Sequence, residues 1–397
     1  MRCWWSVILH LLSIGVVSTR PVAAQVARPN ARALAEFSHA IDSLRKCVGI
    51  PGMSAAIAFN DSVIWSQGYG YADRERGIPA TAHTPYEVAS VSKPFGAVLV
   101  LRLVQEGKVS LDDPMSKYST EYHSDSVLVR HVFTHTSSGV PGTAYVYDGD
   151  VFATLFDVVV KASGRRYREI VSNDILIPLG MNETSPGNDL QPGQPAMDAL
   201  LGKANADRYD DVVSRLAKPY KIDSTGAVVP SHEYLFQLSP ANGIVSTVLD
   251  LAKFDRAIDH DVLISPATKQ LMWTPARAPD GHAFPYALGW FVQDYGGERV
   301  IWHNGNLPDR YSALYLKLPE AGLSLFLLAN SDALSMPFKL ALGDISSSAF
   351  ACAFRTIIAP RPAARPATSC ALPDKMINDW RALHNYRLAM GSSQRNE

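Results

Sequence analysis

Ser90 and Lys93 stand three residues apart in Ser90-Val91-Ser92-Lys93, a Ser-x-x-Lys spacing. Side chains at i and i+3 share one helix face, so this hydroxyl and amine can meet. A serine hydroxyl is a poor nucleophile until a base takes its proton. An exposed lysine, with a pKa of about 10.4, is protonated at neutral pH and is no base. Burial disfavours the ammonium, and the positive end of a helix macrodipole pushes the same way. The apolar run Phe95 to Val104, interrupted by Gly96 and Arg102, would supply that burial. The pattern predicts a buried helix with Ser90 and Lys93 in its first turn. Pro94 falls where a missing N–H costs little, and Gly107 marks the stop. Two fixed residues in four recur by chance in long chains, so the motif needs company.

Other residues offer less chemistry. His131 and His135 are four apart, but no Glu follows the first and no third ligand is evident, so structural histidines are expected and no metal. No Cys spacing suits a metal. Cys352 and Cys370, around a Pro-rich loop, are the candidate disulfide pair, which leaves Cys47 as a thiol beside Arg45 and Lys46.

The elements that would position Ser90 and Lys93 can be read from periodicity. Residues 31–47 are helical, with Leu34, Phe37, Ile41 and Leu44 at helical spacing. Residues 53–59 and 62–70 read as a hairpin around Asn60-Asp61, with a third short strand before Thr84. Short helices are expected at 129–133, 150–162 and 167–175, and further ones at 247–258 and 265–272. The polar stretch 184–220 and the segment 226–232 read as insertion, loop or lid. Strands are expected at 286–295, 299–303, 311–318 and 323–329, completing the sheet begun at Met53, and a last helix at 338–351. Strands at both ends of the chain with helices between point to an α+β architecture.

Composition bounds the rest. The chain has 397 residues, 47% hydrophobic and 19% charged, enough for a large core. Its 37 basic and 38 acidic side chains show no basic run, so nucleic acid is not an expected partner. Residues 1–24 read as an export signal: Arg2, the apolar Trp4 to Val17, then small residues at Val22-Ala23-Ala24. That apolar stretch is short for a span of about 20 residues, and none occurs later, so no stable membrane span is expected after signal removal. The expected location is periplasmic or secreted. PRPAARP at 360–366 is a linker, and residues 352–397 as a whole read as linker and partly disordered tail.

Several motifs then fall in one order: Ser90-Val91-Ser92-Lys93, Leu111-Asp112-Asp113-Pro114, Thr134-His135-Thr136-Ser137, Tyr147, Pro178-Leu179-Gly180-Met181, Ala287-Leu288-Gly289-Trp290 and His303-Asn304-Gly305. The set resembles the serine β-lactamase and penicillin-binding-protein family, in its branch of class C β-lactamases, D-alanyl-D-alanine carboxypeptidases and family VIII esterases. The resemblance covers residues 35–347. It implies an antiparallel sheet flanked by helices (about 35–88 and 286–347) beside an all-helical lobe (about 89–285), with the active site in the cleft between. It implies Ser90 as nucleophile, Lys93 as its base and Tyr147 as the phenol that shares or relays the proton. A phenol close to an ammonium would be driven toward phenolate. His303 and Gly305 match the third motif, with Gly305 kept small for a passing substrate. The backbone N–H groups of Ser90 and Asn306 would form the oxyanion hole. No cofactor is implied. The partner would be a small-molecule or peptide substrate, a cell-wall peptide or β-lactam among the candidates.

Two departures qualify the resemblance. Gly149 stands where Tyr-x-Asn would carry an amide, and His303 stands where efficient β-lactamases carry Lys. Both favour an exported ester or peptide hydrolase. The alternatives are a class C-like β-lactamase and a non-hydrolysing penicillin-binding or sensor protein.

Overall fold

The computed structural model describes residues 27–189, 195–223, 227–232, 237–295 and 297–359. The expected signal, the 360–366 linker, Cys370 and the rest of the expected tail from residue 360 lie outside the described residues, whereas residues 352–358, expected to belong to that tail, are helical, with Phe354 and Ile358 buried. Cys352 is disulfide-bonded, and Cys47 is a free, exposed thiol.

The first helix, α1 (Ala31–Cys47), starts where Asn30 accepts a hydrogen bond from the Ala33 N–H, and it buries Phe37, Ile41 and Leu44. Strands β1 (Gly52–Phe59) and β2 (Ser62–Asp73) follow. Asn60 and Asp61 between them both have positive φ, as a tight hairpin of matching twist demands. After β3 (Ile78–Pro79) and β4 (Tyr86–Glu87) comes the buried α2 (Ser92–Gln105). The lobe then builds from α3 (Val129–Phe133), α4 (Gly149–Ala153), α5 (Leu155–Ser163), α6 (Tyr167–Val171), α7 (Pro195–Leu201) and α8 (Lys203–Ser214). A small hairpin, β5 (Tyr220–Ile222) with β6 (Val228–Pro230), and β7 (Val245–Ser246) lead to α9 (Val248–Asp259) and α10 (Pro266–Met272). The chain closes with β8 (Phe291–Asp294), β9 (Arg299–Leu307), β10 (Tyr311–Leu318), β11 (Leu323–Ala329) and α11 (Ala349–Ala353).

The main sheet is antiparallel, in the order β3-β2-β1-β11-β10-β9-β8. The β1–β11 pairing sets Met53 opposite Ala329 and Phe59 opposite Leu323, so strands from the two ends of the chain form its centre. Register fixes the faces, because paired residues point the same way. Trp65, Ile57, Leu325, Leu316 and Trp302 lie in one cross-strand row, and Phe37 of α1 meets that face at Trp65. Ala56, Phe326, Tyr315 and His303 form the row on the opposite face, where α9 meets Tyr315 and Lys317 of β10 through Asp255. Helix α9 therefore belongs to the layer over the sheet, although it falls within the span expected for the helical lobe.

Several expectations change. No helix runs from 338 to 351: Pro337, Lys339 at φ 49° and Gly343 at φ 87° break it into 3-10 turns, and α11 alone is helical. The polar stretch after Thr184 carries α7 and α8, and Tyr209 of α8 is buried against Ser172, a 2.7 Å hydrogen bond apart. Its polarity hid a helix with a narrow apolar edge. Segment 226–232 contains β6 rather than loop alone. Strand β9 runs on past His303 to Leu307, so Asn304, Gly305 and Asn306 all lie within it.

Candidate active site

Ser90 sits in a 3-10 turn, Ala89–Val91, that runs straight into α2 at Ser92. It thus precedes the helix by one turn instead of lying within it. Ala89 takes φ 51°, a left-handed conformation that an alanine rarely holds. The Glu87 carboxyl accepts the Ala89 N–H at 3.0 Å and helps to keep it there. Lys93 is fully buried. Its Nζ lies 2.9 Å from Ser90 Oγ and 3.3 Å from the Ala241 carbonyl oxygen. The loop carrying Ala241 comes this close because residue 96 is glycine: a Cβ there would lie 2.7 Å from the Pro240 side chain. Burial pulls the Lys93 amine down to about 7, against the opposing pull of Asp148, Asp150 and Glu87. As a neutral amine it can accept the Ser90 proton while an N–H still reaches Ala241.

Tyr147 precedes α4, which Asp148 caps by accepting the N–H groups of Asp150 and Val151. Its ring centroid is 5.0 Å from Lys93 Nζ. The His135 ring packs on it at 4.3 Å, and His135 Nδ1 accepts the Asp148 N–H at 3.2 Å. The Tyr147 hydroxyl is buried without a hydrogen-bond partner. Burial raises its pKa, with the nearby Ser90 hydroxyl opposing. The expected drift toward phenolate is therefore reversed, since the burial that discharges Lys93 removes the cation that would have favoured it.

His303 is fully buried. Its Nδ1 lies 2.7 Å from the Asn304 carbonyl, which can only accept, so this nitrogen carries the proton. Its Nε2 then accepts the Tyr286 hydroxyl at 2.7 Å. Burial, then Lys93, push its pKa well below the ordinary histidine value. Both ring nitrogens are engaged and the ring is uncharged, so it offers a substrate carboxylate no free donor.

Gly305 is small for a reason other than a passing substrate. A Cβ there would come within 2.2 Å of the Val88 carbonyl and 3.0 Å of Ala89 Cβ. The chain's own turn crosses this strand, just where β9 has left its partner β8, whose ladder ends at Phe291–Trp302. Asn306 follows, opposite Ser312 on β10, half-buried and with its Oδ1 unpartnered. Ser90, Lys93 and Tyr147 thus converge on one place against β9, which brings Gly305 and Asn306 to it and His303 as a supporting wall. Gly149 leaves room there: a Cβ would stand 3.9 Å from Lys93 Nζ.

A model of the beta-lactamase family matches residues 37–345, most of the chain. The chain belongs to the beta-lactamase family. Penicillin-binding protein 4* of Bacillus subtilis is 25% identical over 306 residues, 68% of this chain and 66% of that protein. The chain thus spans just under two thirds of that relative. The octameric penicillin-binding protein homologue from Pyrococcus abyssi superposes with a TM-score of 0.64 at 24% identity, covering 76% of this chain and 74% of that one. A class C beta-lactamase superposes at 0.62 with 21% identity, covering 77% and 94%. At such identities these structures share the fold, an antiparallel sheet flanked by helices, which is the α+β class expected from sequence.

Sequence reasoning missed Glu87, Ala241, His135 and Tyr286 as neighbours of this centre. Ser239-Pro240-Ala241-Asn242-Gly243 reads as a turn, and nothing in it says that its carbonyl meets Lys93. Gly96 in an otherwise apolar helix was the available signal, because it marks a close approach. Among the described residues no cluster of three or more His, Cys, Asp or Glu could hold a metal ion. Nor is any described helix long and apolar enough to cross a membrane.

Proposed function

We propose that this family member is an exported serine hydrolase that cleaves an ester or amide bond through an acyl-Ser90 intermediate. The observation that supports it most is the 2.9 Å contact between Ser90 Oγ and a fully buried Lys93 amine brought near neutrality. Lys93 takes the hydroxyl proton as Oγ attacks the substrate carbonyl. The Ser90 and Asn306 N–H groups stabilise the oxyanion that forms. The carbon–heteroatom bond then breaks, and the leaving group takes a proton through the neutral Tyr147 phenol, which Lys93 reprotonates. Water attacks the acyl-enzyme by the same route in reverse and frees Ser90.

An ester or peptide substrate suits the site better than a β-lactam. The neutral, doubly bonded His303 supplies no cation for a β-lactam carboxylate, and Gly149 supplies no amide. The export signal read at residues 1–24 would place the enzyme in the periplasm or outside the cell. Labelling with a fluorescent fluorophosphonate tests the reading. The wild type should be labelled at Ser90 and Ser90→Ala should not. Folded wild type that takes no label contradicts it and favours a binding protein on the same scaffold.

A further inference from the structure

The buried carboxyl of Glu87 is not needed as a proton donor or acceptor in the reaction above, and its position calls for a role. It is wholly inaccessible. Its two oxygens accept two backbone N–H groups, from Ala89 at 3.0 Å and from Gly243 at 2.9 Å. The first belongs to the left-handed residue that aims Ser90. The second belongs to the loop that holds Lys93, at a glycine with φ 101° whose added Cβ would meet Leu238 Cα at 2.8 Å. The same loop is tied to the nucleophile turn by backbone and hydroxyl contacts. The Val88 N–H donates to the Ile244 carbonyl at 2.9 Å, and the Ile244 N–H to Ser92 Oγ at 3.2 Å. Strands β4 and β7 pair just beside it, Glu87 opposite Val245. Within this join Glu87 is the side chain that bonds both the residue before Ser90 and the loop around Lys93.

We propose that Glu87 is a positioning residue for the Ser90–Lys93 pair, a carboxyl clamp that fixes the nucleophile turn to the loop carrying Ala241. It touches neither substrate nor a reacting atom. It acts through Ala89 on one side and through Gly243 and Ala241 on the other. This role rests on the hydrolase reading for its effect on rate, but the clamp itself is independent of it.

A second consequence is electrostatic. Burial pushes the Glu87 carboxyl up to about 8, against its two N–H bonds and Lys93. Lys93 is the charged side chain that acts on Glu87. Lys93 in turn feels Asp148 and Asp150 from the start of α4, as well as Glu87 from β4. His135 and His303 pack nearby, and both are held neutral by burial. Around neutral pH the carboxyl is mostly protonated and leaves the amine free to lose its proton. When Glu87 ionises above about pH 8, its negative charge favours the ammonium again. The two groups therefore titrate as a pair, and Lys93 sheds its last protons over an extended range.

The test uses the full chain as wild type, Glu87→Ala and Glu87→Gln, with folding checked by thermal melting. Fluorophosphonate labelling rate is one readout. The other is the titration of Lys93 by NMR on lysine-labelled protein, its signal assigned by loss in Lys93→Met. The proposal expects Glu87→Ala to label at least about tenfold more slowly, as misplacing a reacting group does. Glu87→Gln, which keeps one acceptor oxygen, should recover part of that rate. Its Lys93 transition should narrow, with the upper limb moved to lower pH. A folded Glu87→Ala that labels within twofold of wild type, or a Lys93 curve unchanged in Glu87→Gln, overturns the proposal. If Glu87→Ala does not fold, the Gln variant decides. If wild type takes no label, the hydrolase reading fails, and thermal melting decides the clamp: Glu87→Ala should melt below wild type, and an equal melting temperature overturns it.

Discussion

A lysine sealed from solvent, with a hydroxyl 2.9 Å from its amine, is better placed to accept a proton than to keep one. The sign of its pH dependence follows. Lys93 is pulled down to about 7, so below that pH it is an ammonium and no base. Acylation should rise as pH passes from 6 to 8, measured as the burst rate on a p-nitrophenyl ester. A flat profile across that range would place the base elsewhere. Tyr147 has the opposite tendency: burial keeps its phenol protonated, so it suits a donor to the leaving group. p-Nitrophenolate departs without a proton, whereas an amine does not. Tyr147→Phe should therefore slow amide hydrolysis at least about tenfold more than ester hydrolysis, and equal losses on both substrates would contradict this. Tyr147 was carried by the family resemblance, whereas the meeting of Ser90 and Lys93 was legible in their types and spacing. The protonation of Tyr147 was not, since it depends on how deeply a loop is buried, and no local pattern records that.

Elements decide whether those residues meet. Gly305 lets the nucleophile turn lie directly on β9, where a Cβ would come within 2.2 Å of the Val88 carbonyl. Gly305→Ala should push that turn off the strand, costing about 1–3 kcal/mol in urea unfolding and slowing the labelling of Ser90. Unchanged labelling would show that the turn is held by other contacts. On the same face of the sheet, Tyr315 and Lys317 of β10 both donate to Asp255 of α9, and Lys317 also pairs with Asp259 at 2.9 Å. Lys317 is buried, and the two carboxylates keep it charged against that burial. Asp255→Ala would strand a buried cation and should cost about 3–5 kcal/mol, read by the same urea titration. A loss well under 1 kcal/mol would mean that water or Asp259 compensates. Strands and amphipathic helices such as α1, β10 and β11 were legible from period alone. The failure at 338–351 has a physical cause: apolar residues spaced for a helix sit in 3-10 turns, because Lys339 and Gly343 take left-handed conformations.

At the scale of the whole molecule, the centre of the sheet joins the two ends of the chain: β1 pairs with β11, and the site needs β9 as much as α2. That closure was readable once both groups of strands had been recognised. The packing of α9 on the sheet was not, because its sequence position lies among the lobe helices. A neutral His303 and the gap at Gly149 bear on the molecule's choice of substrate. Short-chain p-nitrophenyl esters should be turned over well and nitrocefin poorly, and a ratio in the opposite sense would favour the β-lactamase reading. The central claim is that a buried, uncharged Lys93 activates Ser90. Its most direct test is the fluorophosphonate labelling rate of folded Lys93→Met beside wild type at pH 8. A loss of at least about 100-fold, the usual worth of a general base, is the predicted result. Labelling of the two proteins at the same rate would contradict it.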